Sequence, residues 1–149
     1  MATIKQIVGA RTSLTATGLG TLASATYLAS SAYVANTNQP LDVVVEADFT
    51  TTNIPAGNKQ VVLFVQESLD GTNYRSGPIS GTSTTDEPNL QFLGTVPMNS
   101  ASVAQAGTFS VAQALGYVPH SFKVVVKNDL GVALTAGTLF TSEISSTVA

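Results

Sequence analysis

The sequence predicts an all-β protein: an antiparallel β-sandwich, jelly-roll-like, with an extended N-terminal arm. Two observations predict it. Apolar and polar residues alternate with a period of two in several segments, as in strands that bury one face. Clusters of Gly, Pro, Asn and Asp separate these segments. Many short strands joined by frequent turns are typical of sandwiches and barrels.

The N-terminal stretch carries the weakest strand pattern. Residues 1–20 are rich in Thr, with scattered apolar side chains and no cluster large enough for a core. We expect residues 1–20 to extend away as an arm, and residues 21–149 to form a single β-sandwich domain. The segment ATYLASSAYV (25–34) alternates and is predicted to be the first strand of that domain.

Three segments carry the strongest strand signals. LDVVVEADF (41–49) and SFKVVVKN (121–128) alternate, which predicts one buried face each. KQVVLFVQES (59–68) is more continuously apolar, which predicts a strand covered on both faces. The side chains expected to point inward are Leu41, Val43, Val45, Ala47, Phe49, Leu63, Val65, Phe122, Val124 and Val126.

Further strands are predicted where β-forming residues concentrate, at residues 90–96, 108–113 and 137–144. One short helix fits residues 100–105 or 111–115. The segment SGPISGTSTTDEPN (76–89) is a long polar loop, and we expect it to be mobile unless a partner orders it.

The composition points to assembly with other protein chains. The chain has 149 residues, enough for one domain with a real core, but only 10% of them are charged. An ordinary soluble domain has about 25%. No Asp, Glu, Lys, Arg or His lies between Arg11 and Asp42. A surface so poor in charge favours self-association, so we expect a homo-oligomer with much of its surface covered by protein.

The same composition argues against several other partners. Six Lys and Arg residues in the whole chain form no basic stripe, so no nucleic-acid binding is predicted. The stretch 12–41 is long enough to span a bilayer, but its Ser, Thr, Gly and Asn content does not suit hydrocarbon, so no membrane contact is predicted. The absence of cysteine excludes disulfides and thiolate metal sites.

The residue pattern gives little evidence of a catalytic or metal-binding site. Asp42, Glu46 and Asp48 share one strand face, but side chains there stand about 6.5–7 Å apart, too far for a cation that needs six or more oxygens. His120 is the only histidine and has no recognisable triad partners. We therefore predict no enzyme, no cofactor and no metal site.

The segment QESLDGTNYRSG (66–77) leaves two interpretations open. Asp70-Gly71 suits a two-residue type I′ hairpin turn, with Tyr74 at the start of the return strand. Alternatively, Asp70, Asn73 and Tyr74 form a ligand loop, because polar groups around an aromatic ring suit a sugar.

Two segments resemble small virion proteins of tailed bacteriophages. They are VVLFVQESLDGTNYRSGP (61–78) and FKVVVKNDLGVALTAG (122–137), and the similarity in strands and turns covers roughly Leu14 to Phe140. The resemblance implies a structural component without catalysis: a capsid decoration or cement protein, or a relative at the neck or tail. It carries over no catalytic or binding residues.

We accordingly expect a decoration protein on the capsid surface of a virion, bound to the major capsid protein or to another virion protein. The arm is expected to clasp a neighbour through Ile4, Ile7, Val8 and Leu14. The alternative is a module of a phage neck, tail or appendage that binds a host receptor or carbohydrate through the 70–74 loop.

Overall fold

Two antiparallel sheets face each other across a shared core in the computed structural model, which describes residues 3–35 and 37–148. Within these residues the strands are β1 (Ile4–Val8), β2 (Thr12–Ser13), β3 (Tyr27–Ala29), β4 (Tyr33–Val34), β5 (Asp42–Thr50), β6 (Gln60–Ser68), β7 (Ser80–Gly81), β8 (Gln91–Pro97), β9 (Gln105–Ser110), β10 (Ser121–Asp129) and β11 (Ala136–Val148). One short helix, α1 (Val111–Leu115), and two 3₁₀ turns, Leu19–Thr21 and Glu87–Asn89, complete the elements.

The strand order is that of a jelly roll. Sheet I has the order β1-β11-β5-β9, with β2 beside β11. Sheet II has the order β7-β3-β10-β6-β8, with β4 beside β10. The pairs β1–β11, β3–β10, β5–β9 and β6–β8 are nested like one long hairpin, and successive pairs alternate between the sheets. The predicted all-β sandwich is therefore confirmed, with jelly-roll connectivity.

The predicted core is also confirmed, with one exception. Its residues on β5, β6 and β10 have 0% of their surface exposed, whereas Leu41 is 61% exposed. Leu41 precedes the first paired residue of β5, Asp42, so it lies beyond the cover of the opposite sheet. Of the two candidate helices, the one at residues 111–115 forms. Ser110 begins it, since its hydroxyl accepts a hydrogen bond from the Gln113 amide.

The extended arm predicted for residues 1–20 is not seen. Ile4–Val8 pair with the end of β11, and Thr12–Ser13 pair with its middle. Leu14 and Leu19 are buried in the core between the sheets. An extended backbone gains stability by pairing its amides with a neighbouring strand, and β11 provides one at residues 140–141 and 144–148. The described part of this stretch is thus the first strand of the jelly roll.

The loop predicted to be mobile lies against sheet II. Residues 69–90, here called the covering loop, run across the outer face of that sheet. The Ile79 carbonyl accepts a hydrogen bond from the Ala29 amide at 3.0 Å, and β7 pairs with β3. Leu90 packs into a second apolar cluster on this face. The other buried members are Tyr27, Val62, Phe64 and Val125. This cover explains the continuously apolar β6.

A polar contact fastens the covering loop at its far end. Lys127 Nζ donates to Glu87 Oε2 at 2.6 Å, and the Tyr27 hydroxyl donates to the same carboxylate. Burial opposes ionisation of Glu87, but the hydrogen bonds from Lys127 and Tyr27 outweigh it, so the pKa of Glu87 is lowered. The loop is therefore held by the chain's own groups.

Candidate functional site

A two-stranded ribbon extends sheet I at one end of the sandwich. It consists of β1 and residues 144–148 of β11, and we call it the ribbon. The pairing of β5 with β11 ends at Asp42 opposite Ile144, so β1 is the only described strand beside residues 145–148. Two strands alone are marginally stable in water, which makes the ribbon a part of the fold that gains from further contacts.

The ribbon exposes several large apolar side chains and is almost free of charge, with the polar pair Gln6 and Ser146 between them. Ile4, Val8 and Val148 are 74%, 69% and 69% exposed, and Ile7 is 45% exposed. Lys5 carries the only charge on its two strands. Because paired residues of a ladder share a face, Ile4, Val8 and Val148 lie on one side. This side continues the outer face of sheet I.

Three of the four side chains predicted to form an interface lie together on this ribbon. They are Ile4, Ile7 and Val8. The fourth, Leu14, is only 6% exposed and packs between the sheets, so its assignment to the interface was wrong. The reason is a long-range contact: the Leu14 amide donates to the Leu139 carbonyl at 2.9 Å, and the Leu14 side chain packs into the core between the sheets.

The base of the ribbon is tied to the opposite sheet. Glu143 on β11 accepts hydrogen bonds from the Tyr33 hydroxyl and from Asn38 Nδ2, the latter at 2.9 Å. The Tyr33 ring packs on Phe122 with ring centroids 5.0 Å apart. Burial and the hydrogen bond to Glu143 raise the pKa of Tyr33. The ribbon thus projects from a firmly held base.

Two carboxylates on the outer face of sheet I next to the ribbon are bonded to other groups of the chain. Arg11 pairs with Glu46 at 2.6 Å, and its guanidinium lies 3.2 Å above the centre of the Phe140 ring. The hydrogen bond from Arg11 lowers the pKa of Glu46. The Asp42 carboxylate accepts from the Ser110 hydroxyl at 2.6 Å and from the Ala112 amide at 2.9 Å. These carboxylates are therefore engaged within the chain.

The predicted hairpin at Asp70-Gly71 does not form. After β6 the chain turns and runs as the covering loop, and no strand begins at Tyr74. Gly71 has a φ of +76°, but Asp70 does not have the positive φ that a type I′ turn also requires. A side chain at that position would meet the His120 ring at 2.8 Å. The turn is instead organised by the Asp70 carboxylate.

Asp70 serves as the acceptor for its own loop. Its Oδ1 accepts from the Ser68 hydroxyl and from the amides of Thr72 and Asn73, at 3.0, 2.8 and 2.7 Å. Its Oδ2 accepts from Asn73 Nδ2 at 2.6 Å. The bond from the Asn73 amide is the main reason that the pKa of Asp70 lies far below its usual range. Two residues of the alternative ligand loop are thus bonded to each other.

The third residue of that loop, Tyr74, is also engaged in the fold. Its hydroxyl hydrogen-bonds the Ser121 hydroxyl at 2.7 Å, and Ser121 is fully buried. Lys123 Nζ lies 4.4 Å from the centre of the Tyr74 ring. The tyrosine thus anchors the covering loop to β10.

A depression of about 490 Å³ lies beside the loop and includes residues that the sequence did not single out. Tyr117 donates to Glu67 Oε2 at 2.9 Å, and Arg75 Nε lies 2.7 Å from Glu67 Oε1. Burial and the Glu67 bond raise the pKa of Tyr117. Tyr117 lies 50 positions from Glu67, so no local pattern could have paired them.

Neither metal-binding nor membrane-spanning features stand out in the described ranges. Among residues 3–35 and 37–148, no three His, Cys, Asp or Glu side chains gather closely enough to hold a metal ion. No helix in this part of the chain has the length and apolar character needed to cross a bilayer.

The comparisons with known proteins identify no relative. A comparison with models of known protein families finds no match to this chain, and a comparison with curated protein sequences finds none either. The resemblance to phage virion proteins therefore stays a prediction.

The Asp70 contacts lead to a prediction about pH. Asp70→Asn should lower the melting temperature at pH 7, because an amide at Oδ2 would face the donor Asn73 Nδ2. The pKa of Asp70 is lower in the folded state than its unfolded value near 3.9. The ionised carboxylate therefore contributes its full stabilisation of the fold above the unfolded pKa. This contribution is lost as pH falls through the lower, folded pKa. The difference in melting temperature between wild type and Asp70→Asn should thus become smaller as the pH falls below about 4.

The matched control is Asp86→Asn. Asp86 is exposed and its side chain does not cap the 3₁₀ turn that it precedes. Thermal melts between pH 2 and 8 compare the two variants with wild type. A gap for Asp70→Asn that stays constant across this range would contradict the assigned role of the carboxylate.

Proposed function

We propose that this chain is a non-enzymatic virion structural protein that decorates a bacteriophage capsid. Its ribbon binds the major capsid protein or another shell protein, and many copies stabilise the shell. The observation that carries the proposal is the ribbon itself, where Ile4, Val8 and Val148 are about two-thirds exposed or more on one side. Exposed apolar patches of this kind mark protein interaction sites.

The chemistry of the ribbon favours a protein surface as the partner. One charge on two strands gives little attraction for anions, cations or phosphate, whereas apolar side chains gain by leaving water. On the adjoining face of sheet I, Glu46 is paired with Arg11 and the Asp42 carboxylate is hydrogen-bonded to Ser110, so covering this part of the face leaves these groups with their partners. A repeated shell multiplies a modest contact through avidity.

The virion assignment itself rests on the resemblance of residues 61–78 and 122–137 to small phage virion proteins. The sandwich with a projecting edge is compatible with it. A homo-oligomer on the capsid surface is part of the same proposal.

Ile4→Asp tests the proposal in a shell-binding assay. Undecorated capsids of the phage that encodes the chain are sedimented with increasing amounts of protein, and the bound fraction is measured. We expect Ile4→Asp to weaken attachment at least about tenfold, because an unpaired carboxylate must be buried in the contact. Ile54→Asp is the matched control, since Ile54 is 75% exposed and lies away from the ribbon. Equal binding by both variants would refute a ribbon-mediated contact.

The second candidate function is receptor or carbohydrate binding at an appendage. The observation favouring it is Tyr117, which is 42% exposed in the depression beside Arg75 and Asn73. An exposed ring with polar neighbours is a platform for a sugar. Tyr117→Ala should leave capsid attachment unchanged under our proposal. If this variant instead abolishes binding to host cells or to a glycan array while remaining folded, the second candidate replaces the first.

A further inference from the structure

The outer edge of β1 has backbone groups without a described partner. The Gly9 amide donates to the Glu143 carbonyl at 2.7 Å, and the Ile144 carbonyl accepts from the Leu41 amide at 2.7 Å. Bonding alternates along an antiparallel ladder. Lys5 and Ile7 therefore bond towards β11, whereas Ile4, Gln6 and Val8 direct their N–H and C=O groups outward. Sheet I begins at β1, so this edge is open among the described residues.

We propose that β1 pairs with β1 of a second copy of this chain, antiparallel and centred on Gln6. Gln6 then lies opposite its own counterpart, and Ile4 lies opposite Val8 of the second copy. Each of the three outward-directed residues meets an outward-directed residue, so their donors and acceptors are all used. The two copies of sheet I join into one continuous sheet across a two-fold axis, as in an isologous dimer.

The side chains of the ribbon complement themselves in this register. Val148 is paired with Ile4, and Ile144 with Val8, within one copy. Across the two-fold axis, Val148 and Ile4 of one copy therefore line up with Val8 and Ile144 of the other on the outer face. Three of these four side chains are at least 69% exposed in the single chain. Aliphatic cross-strand pairs of this kind stabilise a sheet.

The charges also permit this pairing. Lys5 is the only charged side chain on the ribbon, and in this register it lies opposite Ile7 of the second copy. The two Lys5 residues are then diagonal neighbours across the two strands, with Cα atoms about 8 Å apart, and both ammonium groups keep contact with water. A lysine on an edge strand often discourages pairing. Here its aliphatic stem can pack along Ile7, which is 45% exposed.

A second copy fits this edge better than an unrelated strand does. The same five residues provide both halves of the contact, so no other sequence has to match them. Pairing also converts the two-stranded ribbon into four strands, which removes its marginal stability. A five-residue strand contact belongs to the small interfaces, so we expect a reversible dimer that dissociates in the micromolar range. The inference deepens the homo-oligomer part of the proposed function and does not depend on the capsid.

Sedimentation velocity of the isolated chain tests the pairing, with Gln6→Pro and Gln6→Thr as matched variants. Proline removes the outward N–H at the two-fold centre and leaves the bonds of Lys5 and Ile7 to β11 in place. Threonine keeps that N–H and suits a strand. We expect wild type and Gln6→Thr to dimerise with rising concentration, and Gln6→Pro to show a dissociation constant at least tenfold higher. A wild type that stays monomeric up to millimolar concentration, or equal dimerisation by the three proteins, would overturn the proposal.

Cross-linking keeps the test decisive if the proline variant disturbs the ribbon. The chain has no cysteine, so Gln6→Cys introduces a unique thiol. A short bismaleimide should join two copies of this variant efficiently, whereas Ser100→Cys, exposed in a loop outside the ribbon, should remain largely single. Equal cross-linking of both variants would refute the Gln6-centred contact. Neither experiment contains capsids, so the two proposals are tested separately. A dimer in solution would support the pairing even if the chain does not bind shells. Shell binding by a chain that stays monomeric would refute only the dimer.

Discussion

Asn128→Asp is expected to destabilise the protein by about 3–5 kcal/mol, the range for an uncompensated buried charge. Asn128 has 0% of its surface exposed. Its Nδ2 donates to the carbonyls of Leu22 and Val132, both at 2.8 Å, and its Oδ1 accepts from the Leu130 amide at 3.0 Å. A carboxylate would place negative charge against two carbonyl oxygens. The side chain thus joins the end of β10 to two separate loops.

Chemical denaturation at pH 7 measures the decrease in the free energy of unfolding. The pH dependence of this decrease shows whether the buried carboxylate charge causes it. The pKa of a buried carboxyl facing carbonyls is raised in the folded state, so the destabilisation should be largest above that value and should shrink as pH falls. Asn89→Asp is the control, because Asn89 is exposed and its side-chain amide donates to the Ser76 hydroxyl at the surface. It should change stability by no more than about 0.5 kcal/mol. A similar small change for Asn128→Asp would contradict the assigned network.

Gly131→Ala is expected to destabilise by about 2–5 kcal/mol. Gly131 has a φ of +75°, and a Cβ there would lie 2.7 Å from the Gly57 nitrogen. The left-handed conformation costs a residue with a Cβ about 1–2 kcal/mol. The clash adds about 1–3 kcal/mol because backbone cannot rotate away as a side chain can. The Leu130 carbonyl accepts from the Gly57 amide at 2.8 Å, which holds the two loops at this distance.

Gly81→Ala separates the two contributions. Gly81 has a φ of +71°, but nothing lies within 4 Å of its Cβ position. It should therefore show only the conformational part, about 1–2 kcal/mol. Urea unfolding of both variants gives the comparison. If both variants lose the same free energy of unfolding, the close approach of the loop at Gly57 does not contribute to the destabilisation.

The sandwich was predictable from the sequence because its inner faces follow a local rule. Val43, Val45 and Phe49 all fall on every second position of β5, and a buried face imposes this period on any strand. The strand pairing was not predictable in this way. β1 pairs with β11 more than 130 positions along the chain, and five exposed residues carry no alternation that would indicate a strand. The sequence therefore predicts an arm for the N-terminal stretch.

The covering loop and the 70–74 loop show a second limit. The apolar run of β6 predicted a cover on both faces, but the residues that provide it are single anchors such as Glu87 and Leu90 within a polar segment. Asp70-Gly71 required a positive φ at Gly71, which is present. Whether a return strand follows depends on which neighbour β6 takes, and β6 pairs with β8 and β10. That choice is made by long-range packing.

Only part of the proposed interface could be predicted from the sequence. Exposed apolar side chains at Ile4, Ile7 and Val8 are recognisable in the sequence as a cluster without a core. Their partner Val148 lies at the other end of the chain, and only the pairing with β11 brings it to the same face. The burial of Leu14 likewise depends on its bond to Leu139.

The most direct test of the proposed capsid function is electron cryomicroscopy of purified particles of the phage that, under this proposal, encodes the chain. We expect density for the sandwich at repeated, symmetry-related positions on the outside of the shell, with the end that carries Ile4, Val8 and Val148 buried in a contact. Particles that lack the chain, or that hold it only at the tip of a tail, would contradict the account.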